Sequence, residues 1–211
     1  MSFRFSPRTR RFFRNNGLSL TLAALFLLFW TGQAVAGWKT YNEDRARTHQ
    51  VPVGFPSYLS TGHFWQATGE NWESEFLQMG AYVLLTCFLF QKGSAESKDP
   101  DTAEPQVARS GGSFLYRNSL SMAFFILFAI SFWLHFEGGF RVANEERARS
   151  GLAALSRSQW LTEADFWFQS LQNWQSEFLA VLSIVVLSIF LRQHGSPESK
   201  SVEAPDDQTG G

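Results

Sequence analysis

The chain contains one stretch twice, and that duplication limits its fold more than any other feature. Asn71-Trp72-Glu73-Ser74-Glu75-Phe76-Leu77 opens an apolar run that closes in Gln91-Lys92-Gly93-Ser94-Ala95-Glu96-Ser97-Lys98. Asn173-Trp174-Gln175-Ser176-Glu177-Phe178-Leu179 opens a second that closes in Gln193-His194-Gly195-Ser196-Pro197-Glu198-Ser199-Lys200. The offset is 102 at both ends, and carrying it back without a gap makes 30 of 83 positions identical between Asn16 and Lys98. Asn42-Glu43-Asp44-Arg45-Ala46-Arg47 falls on Asn144-Glu145-Glu146-Arg147-Ala148-Arg149, and Phe64-Trp65 on Phe166-Trp167. Such self-similarity marks an internal duplication, so each half is expected to fold on the plan of the other.

The apolar residues come in blocks. Leu18 to Ala36 runs without a charge, about 28 Å as a helix and close to the hydrocarbon thickness of a bilayer. Leu120 to Phe136 occupies the same place in the second half. The basic start and Ala34-Val35-Ala36 also resemble a cleavable signal peptide, but the copy deep in the chain favours a retained helix. Phe76 to Phe90 is short for a crossing, and starting it near Asn71 makes it long enough. The expected fold is therefore all-α and membrane-embedded: four transmembrane helices arranged as two tandem-repeat helical hairpins.

The expected boundaries are a basic arm over 1–15, a first repeat over 16–98 with spans about 18–36 and 72–91, a flexible linker over 99–113, a second repeat over 114–200 with spans about 115–136 and 174–191, and a disordered tail over 201–211. Residues 37–70 and 137–172 read as long loops, Gly- and Pro-punctuated in the first half, with Trp38, Tyr41, Tyr58 and Trp65 at the headgroup layer. Residues 1–15, 91–117 and 192–211 hold 11 of the 18 Lys and Arg, which places both termini in the cytoplasm. A net charge of -1 argues against a nucleic-acid partner, and Cys87 alone allows no intramolecular disulfide.

Two groups of residues meet at the outer face in this topology. Arg45 and Arg47 would clamp Glu73 or Glu75, and Arg147 and Arg149 would clamp Glu177; read as a binding ring instead, the same residues would hold an anion. His63 with Glu70, Glu73 and Glu75 offers metal ligands on paper, but their spacing matches no metal motif and the second copy replaces His63 by Asp165. His135 has Gln33 at its equivalent position, so it reads as solvated at the interface. Ser176, Ala180 and Ser183, with Ser74, Gly80 and Ala81, suit close helix packing. No nucleophile elbow or phosphate loop is present. The reading is a structural or interaction protein without cofactor, partnered by the bilayer and by a second copy or other membrane proteins. The alternatives are a small dimeric transporter lined by Gln33, Gln78, Thr86 and Ser188, and a membrane enzyme using His63 and Glu75.

Asn16-Gly17-Leu18-Ser19, Tyr58-Leu59-Ser60, Gly62-His63-Phe64, Asn71 to Met79 and Lys92 to Lys98 resemble an uncharacterised family of bacterial membrane proteins, a domain of unknown function. The resemblance covers nearly the whole chain. It implies a bacterial inner-membrane protein and carries over no catalytic residue, substrate or cofactor.

Overall fold

The computed structural model describes residues 7–101 and 112–210, the side chains of Pro7 and Arg10 excepted. Most of the expected linker, 102–111, lies outside the described residues. The elements are α1 (Pro7–Arg47), α2 (Phe55–Tyr58), α3 (Gly62–Leu85), α4 (Phe114–Arg117), α5 (Ser119–Arg149), α6 (Arg157–Thr162) and α7 (Ala164–Phe190). Among the described residues there is no strand. The chain divides after Phe64 into two compact units.

Among the described residues three helices are long and apolar enough to cross a membrane: Arg11–Arg47 of α1, all of α5 and all of α7. Only 6%, 11% and 6% of their apolar windows are buried, and the exposed side chains include Leu22, Leu28, Phe29, Ile126, Ile130, Leu179 and Leu182. Such surface is too apolar for water and suits lipid. The sequence predicted a fourth span. Helix α3 has 24 residues, enough for about 36 Å, but Glu70, Glu73 and Glu75 lie in its middle third, which leaves a short apolar stretch.

Both long loops are shorter than expected. Helix α1 continues to Arg47 and α5 to Arg149, because Asn-Glu-acid-Arg-Ala-Arg contains no Pro or Gly and is rich in good helix formers. Arg45 and Arg47, and Arg147 and Arg149, sit in the last turns, where cations complement the negative end of the helix dipole. Several of the aromatics expected at the headgroups instead form an internal cluster in the first unit. Tyr41, Tyr58 and Phe64 are buried, the rings of Tyr41 and Tyr58 lie 5.6 Å apart at a tilt of 49°, and the Trp38 indole donates to Val53 O at 2.8 Å.

Positions 102 apart make the same local bonds. The Asn42 side chain pairs with both backbone groups of Val53 (3.0 and 2.8 Å), and Asn144 does so with Leu155 (3.3 and 2.7 Å). Arg45 Nε donates to Val51 O and Arg147 Nε to Ala153 O. Ser97 Oγ accepts from Gln91 N, and Ser199 Oγ from Gln193 N, both at 2.8 Å. Gly93 and Gly195 adopt φ of +85° and +79°, a left-handed conformation that glycine enters without steric cost. They do not cap the helices directly, since α3 ends at Leu85 and α7 at Phe190.

The expected disordered tail is folded back over its described residues, 201–210. Lys200 is 2% exposed, and its ammonium donates to the carbonyls of Gly93, Pro205, Asp206 and Gln208. Gly93 N donates to Thr209 Oγ1, and Gly210 N to Ser94 O. A buried ammonium needs such acceptors, and they order a segment whose composition alone reads as loose. Nearby, burial and the repulsion of Glu198 push the Glu96 carboxyl above its usual range, against the bond it accepts from Tyr82. A raised carboxyl favours the fold while protonated, and that contribution is lost as pH rises from the ordinary carboxylate range through the raised value. Glu96→Gln is expected to flatten this loss and to stabilise the protein at neutral pH by under about 1 kcal/mol. Melts of parent and variant across acid to neutral pH check it; parallel curves would refute the repulsion.

Candidate functional site

The second unit holds a buried polar cluster between α3, α5 and α7. A β-carbon on Gly69 of α3 would overlap the backbone nitrogen of His135 and lie 2.9 Å from Ser131 O, so the two helix backbones touch there. That approach brings Glu73, one turn further along α3, against His135. Both are 0% exposed. His135 Nδ1 lies 3.1 Å from Glu73 Oε2, and His135 Nε2 lies 3.1 Å from Gln169 Oε1 on α7. The Trp174 indole donates to Glu73 Oε1 at 3.2 Å. Gln169 Nε2 donates to Asp165 Oδ2 at 3.1 Å, while its Oε1 also accepts from Gln66 Nε2 at 2.8 Å. Asn173 Nδ2 donates to Glu70 Oε1 at 2.6 Å.

Aromatic rings wall the cluster off. Phe166, 0% exposed, lies 5.0 Å from the His135 ring and contacts Phe132, Phe136, Trp160 and Trp167. The indole of Trp160, itself 2% exposed, donates to Phe136 O. In such surroundings an unpaired charge is very costly, and the polar groups satisfy one another instead.

The structure uses the sequence-predicted residues differently from the clamp. Glu73 is spent on His135 and Trp174. Arg45 binds Val51 O and stacks on Tyr41, and Arg47 pairs with Asp44. Arg147 binds Ala153 O and Arg149 pairs with Glu145 at 3.8 Å, and among the described residues no ion pair joins either to Glu177. The cause is local. The turns after α1 and α5 present carbonyls within reach of the arginines, whereas Glu177 has Glu75 as an electrostatic neighbour, a like charge. Glu75 is exposed and Glu177 half-buried. His63 Nδ1 sits 3.1 Å from the Tyr58 hydroxyl, whose ionisation burial and Tyr41 push up. Among the described residues no group of three or more His, Cys, Asp or Glu is placed to hold a metal ion.

His135 and Gln169 are the residues the sequence reading missed. His135 was set aside because Gln33 stands at its equivalent position, yet it is fully buried. Gln175 stands opposite Glu73 in the same way. The site lies where the copies differ, and that paired divergence, one acid and one base, was the available signal. Of the other polar candidates, Gln78 Nε2 donates to Glu177 O and Ser188 bonds to Ser94, while Thr86 bonds within its own helix. Ser176 and Ala180 are exposed, and the buried small residues include Ser74, Ser131, Gly69 and Gly80.

No curated protein and no solved structure matches the chain. The model of a family described as a domain of unknown function (DUF6766) matches residues 9–211, and the chain belongs to that family.

Proposed function

We propose that the chain is a four-crossing protein of the bacterial inner membrane, built as two tandem hairpins over 16–98 and 114–200 with both termini in the cytoplasm. In this reading it serves as a non-catalytic scaffold for a second copy or other membrane proteins. The observation that supports it most is the set of matched bonds at positions 102 apart, from Asn42 and Asn144 to Ser97 and Ser199. Two segments that turn back in the same way after their first helix are read as repeats, and a repeat of two crossings keeps one orientation. In this reading α3 is the span that the helix composition alone leaves out, its Glu70 and Glu73 kept from lipid by partners in the second unit. The arginine-rich turns hold the hairpin ends, and the outer-face carboxylates Glu75 and Glu177 form a rim for docking.

Reporter fusions decide the topology. An alkaline phosphatase fusion after Thr48 is expected to be active and one after Gly93 inactive, with the same contrast after Ser150 and after Gly195. Activity after Gly93 would mean that α3 does not cross, leaving three spans.

A second reading, a small proton-coupled transporter, is favoured by one observation: Glu73 is fully buried near the middle of α3. Intramembrane carboxylates mark ion pathways. Proteoliposomes under an imposed pH gradient separate the readings, since a scaffold leaks protons no faster than empty liposomes.

A further inference from the structure

We propose that Glu73 and His135 together form a binding site for one proton. The inference rests on side-chain bonds and is independent of the number of crossings.

The geometry fixes where hydrogens must be. Gln169 is oriented by its partners: Asp165 only accepts, so Nε2 faces it, and Oε1 is turned toward the ring. Oε1 already accepts from Gln66 and has no hydrogen to give, so His135 Nε2 must carry one. The other ring nitrogen, Nδ1, faces Glu73 Oε2 at 3.1 Å. Two lone pairs do not hold that distance in a dry site. A hydrogen lies between them, either on Nδ1, which makes the ring an imidazolium beside a carboxylate, or on Oε2, which makes a carboxylic acid beside a neutral ring. Both forms contain the same number of protons, one more than a neutral histidine and a free carboxylate, and both leave the pair uncharged overall. An uncharged pair is what the wall around Phe166 tolerates.

The charged groups facing the site hold that proton. From α3 comes Glu70, bonded to Asn173 and within electrostatic reach of His135, Glu73 and Asp165. From α7 comes Asp165, bonded to Gln169. The side chains that Ser131, Trp160 and Phe166 add are uncharged. Three carboxyls thus surround one imidazole, and among the described residues no Lys or Arg is bonded to any of them. The proton enters from water and returns to it. Its departure sets a carboxylate against a lone pair, so α3, α5 and α7 must part or admit water as it leaves. Occupancy of the site is therefore tied to the packing of the three helices.

The test reads the proton directly in the full chain, in nanodiscs at neutral pH. Histidine-labelled protein carrying His49→Gln, His63→Gln and His194→Gln leaves His135 as the sole reporter for nitrogen NMR. The expected result is a ring protonated on both nitrogens, or a neutral ring together with a deuterium-sensitive carboxylic-acid band in the infrared that Glu73→Gln removes. Glu73→Gln keeps every bond, because its amide nitrogen donates to Nδ1, and in that variant the ring is expected to be neutral with its hydrogen on Nε2. A parent ring that is neutral with no such band, or a ring whose state is the same in parent and Glu73→Gln without one, would overturn the proposal.

Discussion

Glu73→Ala is expected to destabilise the second unit by about 3–5 kcal/mol, the usual effect of removing one partner from a buried, hydrogen-bonded pair. The variant takes away the partner of His135 Nδ1 and the acceptor of the Trp174 indole and opens a cavity between the helices. Nothing in the aromatic wall can replace those bonds, and water reaches the site only if the helices separate. Glu73→Gln should behave very differently, losing at most about 1.5 kcal/mol, since its amide accepts from Trp174 and donates to His135 in the same geometry. Glu73→Leu combined with His135→Leu should recover most of the loss, because a buried pair replaced by apolar groups of similar volume is often neutral. Thermal unfolding of the four proteins in one detergent orders them as parent, Gln, double Leu, Ala. An Ala variant that melts with the parent would mean that the pair is solvated and contributes nothing.

The contrast between what the sequence shows and what it hides follows from the duplication. Apolar runs at Leu18 to Ala36 and Leu120 to Phe136 are legible because lipid leaves no alternative to a helix whose backbone satisfies itself. The extensions to Arg47 and Arg149 were missed because polarity was read as loop, although residues such as Glu, Arg and Ala propagate a helix as well in water as Leu does in lipid. Residues 201–211 read as a loose tail, and only the carbonyls of Gly93, Pro205, Asp206 and Gln208 gathered around the Lys200 ammonium explain the order of 201–210. The candidate site escaped for a deeper reason. Comparing the halves directs attention to what they share, such as Glu75 with Glu177, which are neighbours of like charge. Glu73 and His135 are each unmatched across the repeat and belong to different copies. Their meeting depends on three helices packing together, which no single stretch of sequence encodes.

The closest of those packings lies at Gly69, where the largest effect of a single methyl is expected. In an exposed helix interior, Gly→Ala stabilises by about 1 kcal/mol because glycine loses more backbone entropy on folding. Gly32 in α1, with no heavy atom within 4 Å of an added β-carbon, should show that gain. Gly69→Ala should reverse it. The added carbon would overlap His135 N and stand 2.9 Å from Ser131 O and 3.0 Å from His135 Cα, all backbone or α-carbon atoms that no rotamer change can move. Overpacking of this kind costs about 1–3 kcal/mol, and more where the obstacle is rigid, so the net outcome is a lower melting temperature. The equivalent position, Leu171, is 55% exposed, which shows that the glycine answers a contact specific to α3 and α5 and not a requirement of helix geometry. Because Ser131 and His135 are pushed away together, Gly69→Ala should also disturb the bond between His135 and Glu73, visible as a shifted His135 ring resonance. Gly69→Leu should abolish the folded second unit while Gly32→Leu does not. If Gly69→Ala melts at or above the parent temperature, α3 and α5 do not touch at this point, and the polar cluster between them loses its geometric basis.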